Sequence, residues 1–507
     1  MDILVLNAVP FVIALLLAIP EVRRWLPKTA QTALTTGAML LLFIAFIGYF
    51  PYVEGNQNVS RTIEWMPELG INASFYLDGL SLLFSLIISG IGAIIFFYSG
   101  YYFEDKDEQT RFNTILMTFA GAMLGLVIAG NIITMFIMWE LTSITSFLLI
   151  SFKGDKDPEA RFGGLQALII TGGGGLALIG GLVLLGLAVA EINGTGFVTD
   201  LATILHTKQL VDHDWYTAIL LLILLGAFTK SAQFPFHFWL PGAMSAPTPA
   251  SAYLHSATMV KAGIYLLLRL YPVMYGNDLW SQIIVPVGFG TMVVAAFFSI
   301  KQRDLKALLA YSTVSKLGAI VGLIGLPDQL GLKAALVGIL AHALYKAALF
   351  LTVGTVDHAV GTRIIDKLGG LYKHMPITAA VATISGLSMA GIPFFFGFVA
   401  KEVLIAAAMD SSIQLLSVLA VFIGSVFTAV AAYILIWDVY FRPPKEAVHI
   451  HHHLPAPIDY GPALLALGSL TFGFLLQPLI IPILDAALLK EFELKLFPGF
   501  HTEFFIS

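Results

Sequence analysis

Apolar residues fall in blocks of about 20 that recur from one end of the chain to the other, the length a helix needs to cross a hydrocarbon core ~30 Å thick. A single soluble core does not produce that rhythm. With 58% apolar and only 12% charged residues, and a mean hydropathy of +0.86, water is excluded as the solvent for most of the surface. In hydrocarbon every backbone N–H and C=O must be satisfied within the protein, so apolar blocks of this length predict an all-α integral membrane protein. The absence of cysteine rules out disulfides, thiolate metal sites and cysteine nucleophiles. A net charge of -5 gives no support to nucleic acid as a partner. The first apolar run, Ile3 to Ile19, has no basic stretch before it and reads as a first span, not as a cleavable leader.

Dividing the chain at charged and Pro/Gly-rich breaks predicts fourteen spans, near 3–20, 30–50, 75–100, 113–130, 131–151, 163–190, 216–250, 252–272, 281–300, 304–326, 333–356, 377–409, 412–440 and 460–484. Of the 27 basic residues, fifteen fall in one alternate set of loops, from Arg23 to Lys445. Six fall in the other set: Arg61, Lys208, Arg269, Lys333, Lys490 and Lys495. Basic residues are retained in the cytoplasm, so the richer set is expected inside and both termini outside.

The remaining six basic residues, Lys230, Lys261, Lys306, Lys316, Lys346 and Lys401, lie within spans. A lysine at bilayer depth costs at least ~2.5 kcal/mol on insertion scales and is tolerated mainly where it faces protein or water. Glu140 adds a carboxylate to the fifth span, and His255 and His342 add imidazoles to the eighth and eleventh. The structural alternatives are snorkelling to an interface, which suits Lys306 and Lys316 near a helix start, or static ion pairing. For the deeper Glu140, Lys230, Lys346 and Lys401 a role in ion movement is the stronger reading.

Two spans carry helix breakers beside a lysine: Lys230 is followed by Pro235, Pro241, Pro247 and Pro249, and Lys401 is preceded by Gly391, Pro393 and Gly397. Proline removes an internal hydrogen bond, which hydrocarbon allows only where the irregular backbone is buried or lines a wet cavity. The seventh and twelfth spans are therefore predicted to be broken in mid-membrane. One broken, lysine-bearing helix in each half, five spans apart, predicts two inverted five-helix repeats. These are helices 4–8 (113–273) and 9–13 (281–440), preceded by a three-helix segment (1–112) and followed by a His-rich loop, helix 14 and a tail (441–507). The run Thr171-Gly172-Gly173-Gly174-Gly175 lacks the lysine and strand of a phosphate loop and reads as close helix packing. The tract His449 to His453 reads as a solvated loop more than as a metal site.

Several segments then resemble a known family. FIMWELTS (Phe136 to Ser143), the run Pro235 to Leu270 containing HSATMVKAG, KQRDLKALLAYSTVSKLG (Lys301 to Gly318), AHALYKAALFLTVG (Ala341 to Gly354) and LGGLYKHMPITAA (Leu368 to Ala380) are similar to the proton-translocating antiporter-like subunits. That superfamily includes the large membrane-arm subunits of respiratory complex I, group-4 hydrogenases and the multisubunit Mrp cation/proton antiporters. Ser388 to Pro393 with Lys401-Glu402 makes the A subunit of the Mrp antiporters the nearest resemblance.

The resemblance implies a proton path. Glu140 matches the glutamate of the fifth helix and Lys230 the lysine of the broken seventh helix that pairs with it. Lys261 and His255 match ionisable groups of the eighth helix. Lys306, His342 and Lys346 match the central connecting groups, and Lys401 matches the lysine of the broken twelfth. Protons are expected to pass from Lys230 through Lys261, Lys306, His342 and Lys346 to Lys401. Gly338 stands where the complex I counterpart often has a second histidine, four residues before His342, and a water is expected to bridge there. The resemblance further implies other membrane subunits as partners, H+ and Na+ or K+ as transported ions, the cell (inner) membrane as location, and no cofactor or metal. The sequence ends sooner than the A subunit of an Mrp antiporter usually does, which reads as a split form of that subunit. Membership of a complex I-like or hydrogenase-type respiratory complex is the alternative.

Overall fold

The structure is a computed structural model that describes residues 2–55, 57–66, 71–327, 329–411, 413–444, 449–452, 454–488 and 494. His453, Lys445, Lys490, Lys495 and the rest of the expected tail apart from Leu494 lie outside the described residues.

The described chain is mostly helical. In order it forms α1 (Ile3–Ala18), α2 (Lys28–Ile47), α3 (Gly79–Tyr102), α4 (Lys106–Val127), α5 (Ile132–Ile150), α6 (Pro158–Asn193) and α7 (Tyr216–Lys230). There follow α8 (Thr248–Ser256), α9 (Met259–Met274), α10 (Asp278–Ile300), α11 (Leu305–Gly325), α12 (Gln329–Val360), α13 (Pro376–Ala390), α14 (Phe396–Met409), α15 (Gln414–Tyr433), α16 (Tyr460–Thr471) and α17 (Ile481–Leu488). Asp or Asn side chains cap many N-termini by accepting a backbone N–H of the first turn: Asp78 from Ser81 (2.9 Å), Asp105 from Glu108 (2.7 Å), Asn131 from Thr134 (2.6 Å) and Asp304 from Ala307 (3.0 Å). These caps place the polar breaks in the sequence at the ends of the spans.

Among the described residues, ten helices are long and apolar enough to cross a membrane, or eleven if a bent C-terminal pair counts as one. That makes the chain an integral, multi-pass membrane protein. Three further predicted spans coincide with helices under 18 residues: α1, α7 and α13. The last two are short because the chain breaks where proline and glycine predict it. The last predicted span is not one rod, since Ala456–Thr471 and Leu476–Leu488 meet at 104°. The eighth predicted span is also interrupted, with Ala257 and Thr258 separating α8 from α9.

The all-α expectation needs one correction, because β1 (Val59–Met66) and β2 (Ile71–Leu77) form an antiparallel hairpin in what reads as a loop. β1 carries Arg61, Glu64 and Trp65 on exposed positions, so no alternating buried face marks it in the sequence.

The axis of the protein is α12, whose most apolar stretch is 100% buried, whereas that of Gln414–Phe441 is 28% buried and turns outward. Around α12 pack α3, α8, α11, α13, α14 and α16. Loops of the basic-rich set meet one another: Arg23 pairs with Asp107 (2.9 Å), Arg111 donates to Phe152 O (2.7 Å), and Arg363 pairs with Asp304.

Arg269 corrects the loop count. It is 4% exposed, inside α9, and its guanidinium forks onto Asp78 at the start of α3, with Nη2 donating to Oδ1 at 2.8 Å. It also donates to Ser81 Oγ (2.7 Å) and to Tyr265 OH (3.0 Å), whose hydroxyl donates to Val127 O at 2.7 Å. One arginine thus ties α3, α4 and α9 together. Removing one partner strands the other charge, so Arg269→Met is expected to cost about 3 kcal/mol. Arg269→Lys recovers only part, because an ammonium cannot fork onto a carboxylate. Thermal unfolding of the purified protein in detergent checks this, and an unshifted midpoint for Arg269→Met contradicts it.

Candidate functional site

At one end of the row of buried charges, α5, α6 and α7 meet. Trp139 and Glu140 are neighbours on α5 and so point about 100° apart around the helix. The Trp139 face receives Lys230, whose Nζ donates to Trp139 O (3.0 Å) and, one turn on, to Ser143 Oγ (2.7 Å), and sits 5.0 Å from the Trp139 ring centroid. The Glu140 face turns to α6. A Cβ on Gly175 would lie 1.8 Å from Glu140 Oε1, and one on Gly174 would lie 1.8 Å from Thr229 Oγ1. The glycine run is thus the surface that lets α6 close on α5 and α7, as its composition predicts. Glu140 and Lys230 lie within electrostatic reach of each other. They make no ion pair within 4.0 Å, so the expected direct pairing is absent from this conformation.

Lys230 is the last residue of α7. The carbonyls freed by the break are satisfied locally: Trp239 Nε1 donates to Thr229 O (2.8 Å) and Gln233 N to Phe228 O (2.9 Å). This is how irregular backbone survives in a membrane protein.

The middle of the row is built on α12. Lys261, from α9, donates to Ile339 O at 3.0 Å. One turn apart on α12 stand His342 and Lys346. Lys346 Nζ donates to Leu309 O on α11 (3.2 Å) and to Ser312 Oγ, and lies 3.6 Å from Met389 Sδ. His342 is fully buried and neither ring nitrogen has a hydrogen-bond partner. Such nitrogens retain the capacity to take or give a proton. Lys261, Lys316 and Lys346 all lie within electrostatic reach of His342.

Lys306 and His255 stand apart from this row. Lys306 Nζ donates to Ala246 O (2.9 Å) at the start of α11, beside the Arg363–Asp304 pair. It lies within reach of His255, whose ring nitrogens are also without partners. The order expected from the resemblance puts Lys306 between Lys261 and His342. The structure links Lys261 directly to α12 and groups Lys306 with His255.

At the other end, α13 stops at Gly391 (φ 75°), and Phe394 (φ 76°) turns the chain into α14. Lys401 reaches back to the broken end, donating to Ala390 O at 3.3 Å. Gly391 is required twice, by its positive φ and because a Cβ there would lie 2.4 Å from Lys401 Cδ. A small cavity of about 40 Å³ opens here, lined by Lys316, Lys401, Ser312, Ser315, Ser388 and Tyr345 among others. Lys316, which reads from sequence as a snorkelling candidate, therefore faces an internal cavity. Arg269 and Asp78 were missed by the loop count, although their positions inside the predicted spans 252–272 and 75–100 were the signal that could have found them. The His tract folds back, with His451 N and His452 N donating to Ala359 O (2.9 and 3.3 Å) at the end of α12.

The class so defined is a polytopic helical membrane protein with a file of lysines and imidazoles in its interior. Residues 129–428 match the sequence profile described as "NADH:quinone oxidoreductase/Mrp antiporter, TM", and residues 65–113 match "NADH-Ubiquinone oxidoreductase (complex I), chain 5 N-terminus". The chain belongs to this NADH:quinone oxidoreductase/Mrp antiporter transmembrane family. It is similar to the A/B subunit of a probable K(+)/H(+) antiporter of Rhizobium meliloti, 41% identical over 92% of this chain and 47% of that protein. It is similar to the A subunit of a Na(+)/H(+) antiporter of Alkalihalophilus pseudofirmus, 38% identical over 98% of this chain and 66% of that one. The A1 subunit of a Na(+)/H(+) antiporter of Staphylococcus aureus is 37% identical over 98% of this chain and 64% of its own length. The chain thus spans between 47% and 66% of these curated relatives. Among solved structures it resembles a chain of the Mrp complex from Dietzia sp. DQ12-45-1b, with TM-score 0.84 and 34% identity, covering 99% of this chain and 54% of that one. It shares its fold with a chain of an archaeal membrane-bound sulfane sulfur reductase (TM-score 0.79, 24% identity), covering 92% of this chain and 75% of that one.

The broken end of α13 gives a test of how tightly Lys401 is positioned. A Cβ on Gly397 would lie 1.8 Å from Ser388 O, a backbone atom that cannot step aside. Gly397→Ala is expected to push α14 away from α13 and cost about 1–3 kcal/mol. A thermal midpoint in detergent equal to wild type would show that the two helices are not in contact.

Proposed function

We propose that this chain is the proton-translocating, A-like subunit of a multisubunit monovalent cation/proton antiporter of Mrp type. The observation that carries the reading is the file of lysines bonded from helix to helix: Lys230 to Trp139 O, Lys261 to Ile339 O, Lys346 to Leu309 O and Lys401 to Ala390 O. Glu140 biases the charge on Lys230. Lys261, His342 and Lys346 relay the proton to Lys401, and Lys306 with His255 forms a branch toward the basic-rich face. The names of the relatives favour Na+ or K+ as the exchanged ion and other membrane subunits as partners. The family also covers NADH:quinone oxidoreductase subunits, and a redox-driven complex is the alternative; the composition of the purified complex separates the two.

The finer architecture belongs to the same proposal. The fourteen spans comprise the ten long helices together with the broken and short ones, arranged as inverted repeats over 113–273 and 281–440. Residues 1–112 precede the repeats and 441–507 follow them. The chain sits in the cell membrane with the basic-rich loops inside and both termini outside, which the contacts among those loops support.

Two outcomes test the function. Glu140→Ala and Lys230→Ala are each expected to abolish cation-driven proton movement in inverted vesicles at near-normal protein levels, and wild-type rates in either variant contradict the path. The purified chain alone in liposomes is expected not to perform coupled exchange. The path carries one kind of ion and no cluster of oxygen ligands that would dehydrate sodium accompanies it among the described residues, so a second route is expected at the interface with partner subunits. Robust sodium- or potassium-dependent proton movement by the chain alone overturns that.

A further inference from the structure

Lys316 lies on α11 one turn beyond Ser312, and residues four apart share a helix face. Ser312 Oγ is the acceptor for the Lys346 ammonium, and Ser312, Lys316 and Lys401 line the same cavity. Met389, the other side-chain neighbour of Lys346, lines it too. The cavity therefore runs from the groups that hold Lys346 to the group at the broken end of α13. At about 40 Å³ of space for water centres it has room for two or three waters at ~10–15 Å³ each, and its serine hydroxyls supply the polar partners that a buried water needs.

The second observation comes from α12. A Cβ built on Gly338 would meet the Cε and Nζ of Lys316 at 3.7 Å, and Ile320 Cγ1 at 3.5 Å. The side-chain volume that Gly338 lacks, one turn before His342, is thus filled by the head of a lysine reaching in from α11. A histidine at 338 would place its ring in this space, so α11 here supplies a titratable group where α12 has none.

We infer that Lys316 is a proton-relay residue between Lys346 and Lys401, standing in for the side chain absent at Gly338. This rests on the proposed proton path. In the step, a proton leaves the Lys346 ammonium through cavity water to the neutral Lys316 amine. The Lys316 ammonium then passes a proton through the same cavity to the Lys401 amine, and no other bond changes. His342 on α12 and Lys401 on α14 lie within electrostatic reach of Lys316, and Tyr345 lines the same cavity; Lys346 meets that cavity through Ser312 and Met389, and Glu402 lies within reach of Lys401.

The test uses the intact complex in inverted vesicles, with a sodium or potassium pulse and a pH-sensitive dye, across a range of pH. Lys316→Met is expected to slow proton movement by on the order of tenfold or more, with complex abundance unchanged. Lys316→Arg is expected to be equally slow, because a guanidinium keeps its proton. Restoring an imidazole from the other helix, Lys316→Met with Gly338→His, is expected to recover much of the rate with a profile moved to the acid side, as an imidazole titrates near ~6.5. Lys316→Gln serves in place of Lys316→Met if that variant fails to assemble. A wild-type rate in Lys316→Gln or Lys316→Arg, or an assembled double variant no faster than Lys316→Met, overturns the relay. Lys346→Met is the control: if it too runs at wild-type rate the whole path is wrong, whereas a dead Lys346→Met beside a normal Lys316→Gln removes only the role of Lys316.

Discussion

A buried ammonium must give its N–H bonds to something, and in this chain it gives them to the backbone of a neighbouring helix. Lys230, Lys261, Lys306 and Lys346 each donate to a main-chain carbonyl of another segment, and none of them makes an ion pair within 4.0 Å among the described residues. A carbonyl dipole holds an ammonium less firmly than a carboxylate does, and it is left neutral when the proton departs. A lysine held this way can change protonation state without stranding a partner charge, which is the property the proposed path requires.

Arg269 shows the contrary arrangement. Its guanidinium cannot release a proton in a protein, and it is forked onto Asp78 with Ser81 and Tyr265 completing its shell. It ties three helices together and has no freedom to titrate. The chain therefore uses its two kinds of buried cation differently: a carboxylate-paired arginine for the scaffold, and carbonyl-held lysines along the file.

Helix breaks accompany Lys230 and Lys401. At Lys230 and at Gly391 the backbone leaves its helix, and each break is closed by local bonds, Trp239 Nε1 to Thr229 O and Lys401 Nζ to Ala390 O. The intervening groups are borne by α12 and its neighbours, where Lys261 and Lys346 converge on carbonyls of α12 and α11. Glycines set the spacing: Gly174 and Gly175 let α6 reach Thr229 and Glu140, and Gly338 leaves room for Lys316.

The multi-pass class, the two broken lysine-bearing spans and the presence of six lysines within spans were legible in the sequence, whereas the buried Arg269 and its partner Asp78 were not. Apolar block length, proline and glycine, and charge inside a span each act through the residue's own neighbourhood. The partners were not legible. Asp78 and Arg269 are 191 residues apart, Lys230 and Trp139 are 91 apart, and the Lys316 head fills space at Gly338 from a different helix. Periodicity tells which face of a helix a side chain occupies, but not which helix will lie against that face. The hairpin at Val59–Leu77 escaped for the same reason, since its exposed first strand carries no alternating pattern and strand pairing depends on what the chain does elsewhere. Sequence alone thus determined most of the charges that enter the membrane, Arg269 being an exception. Only the packing of helices decided whether each one met a carboxylate, a carbonyl or a cavity, because those neighbours are brought together through space and not along the chain.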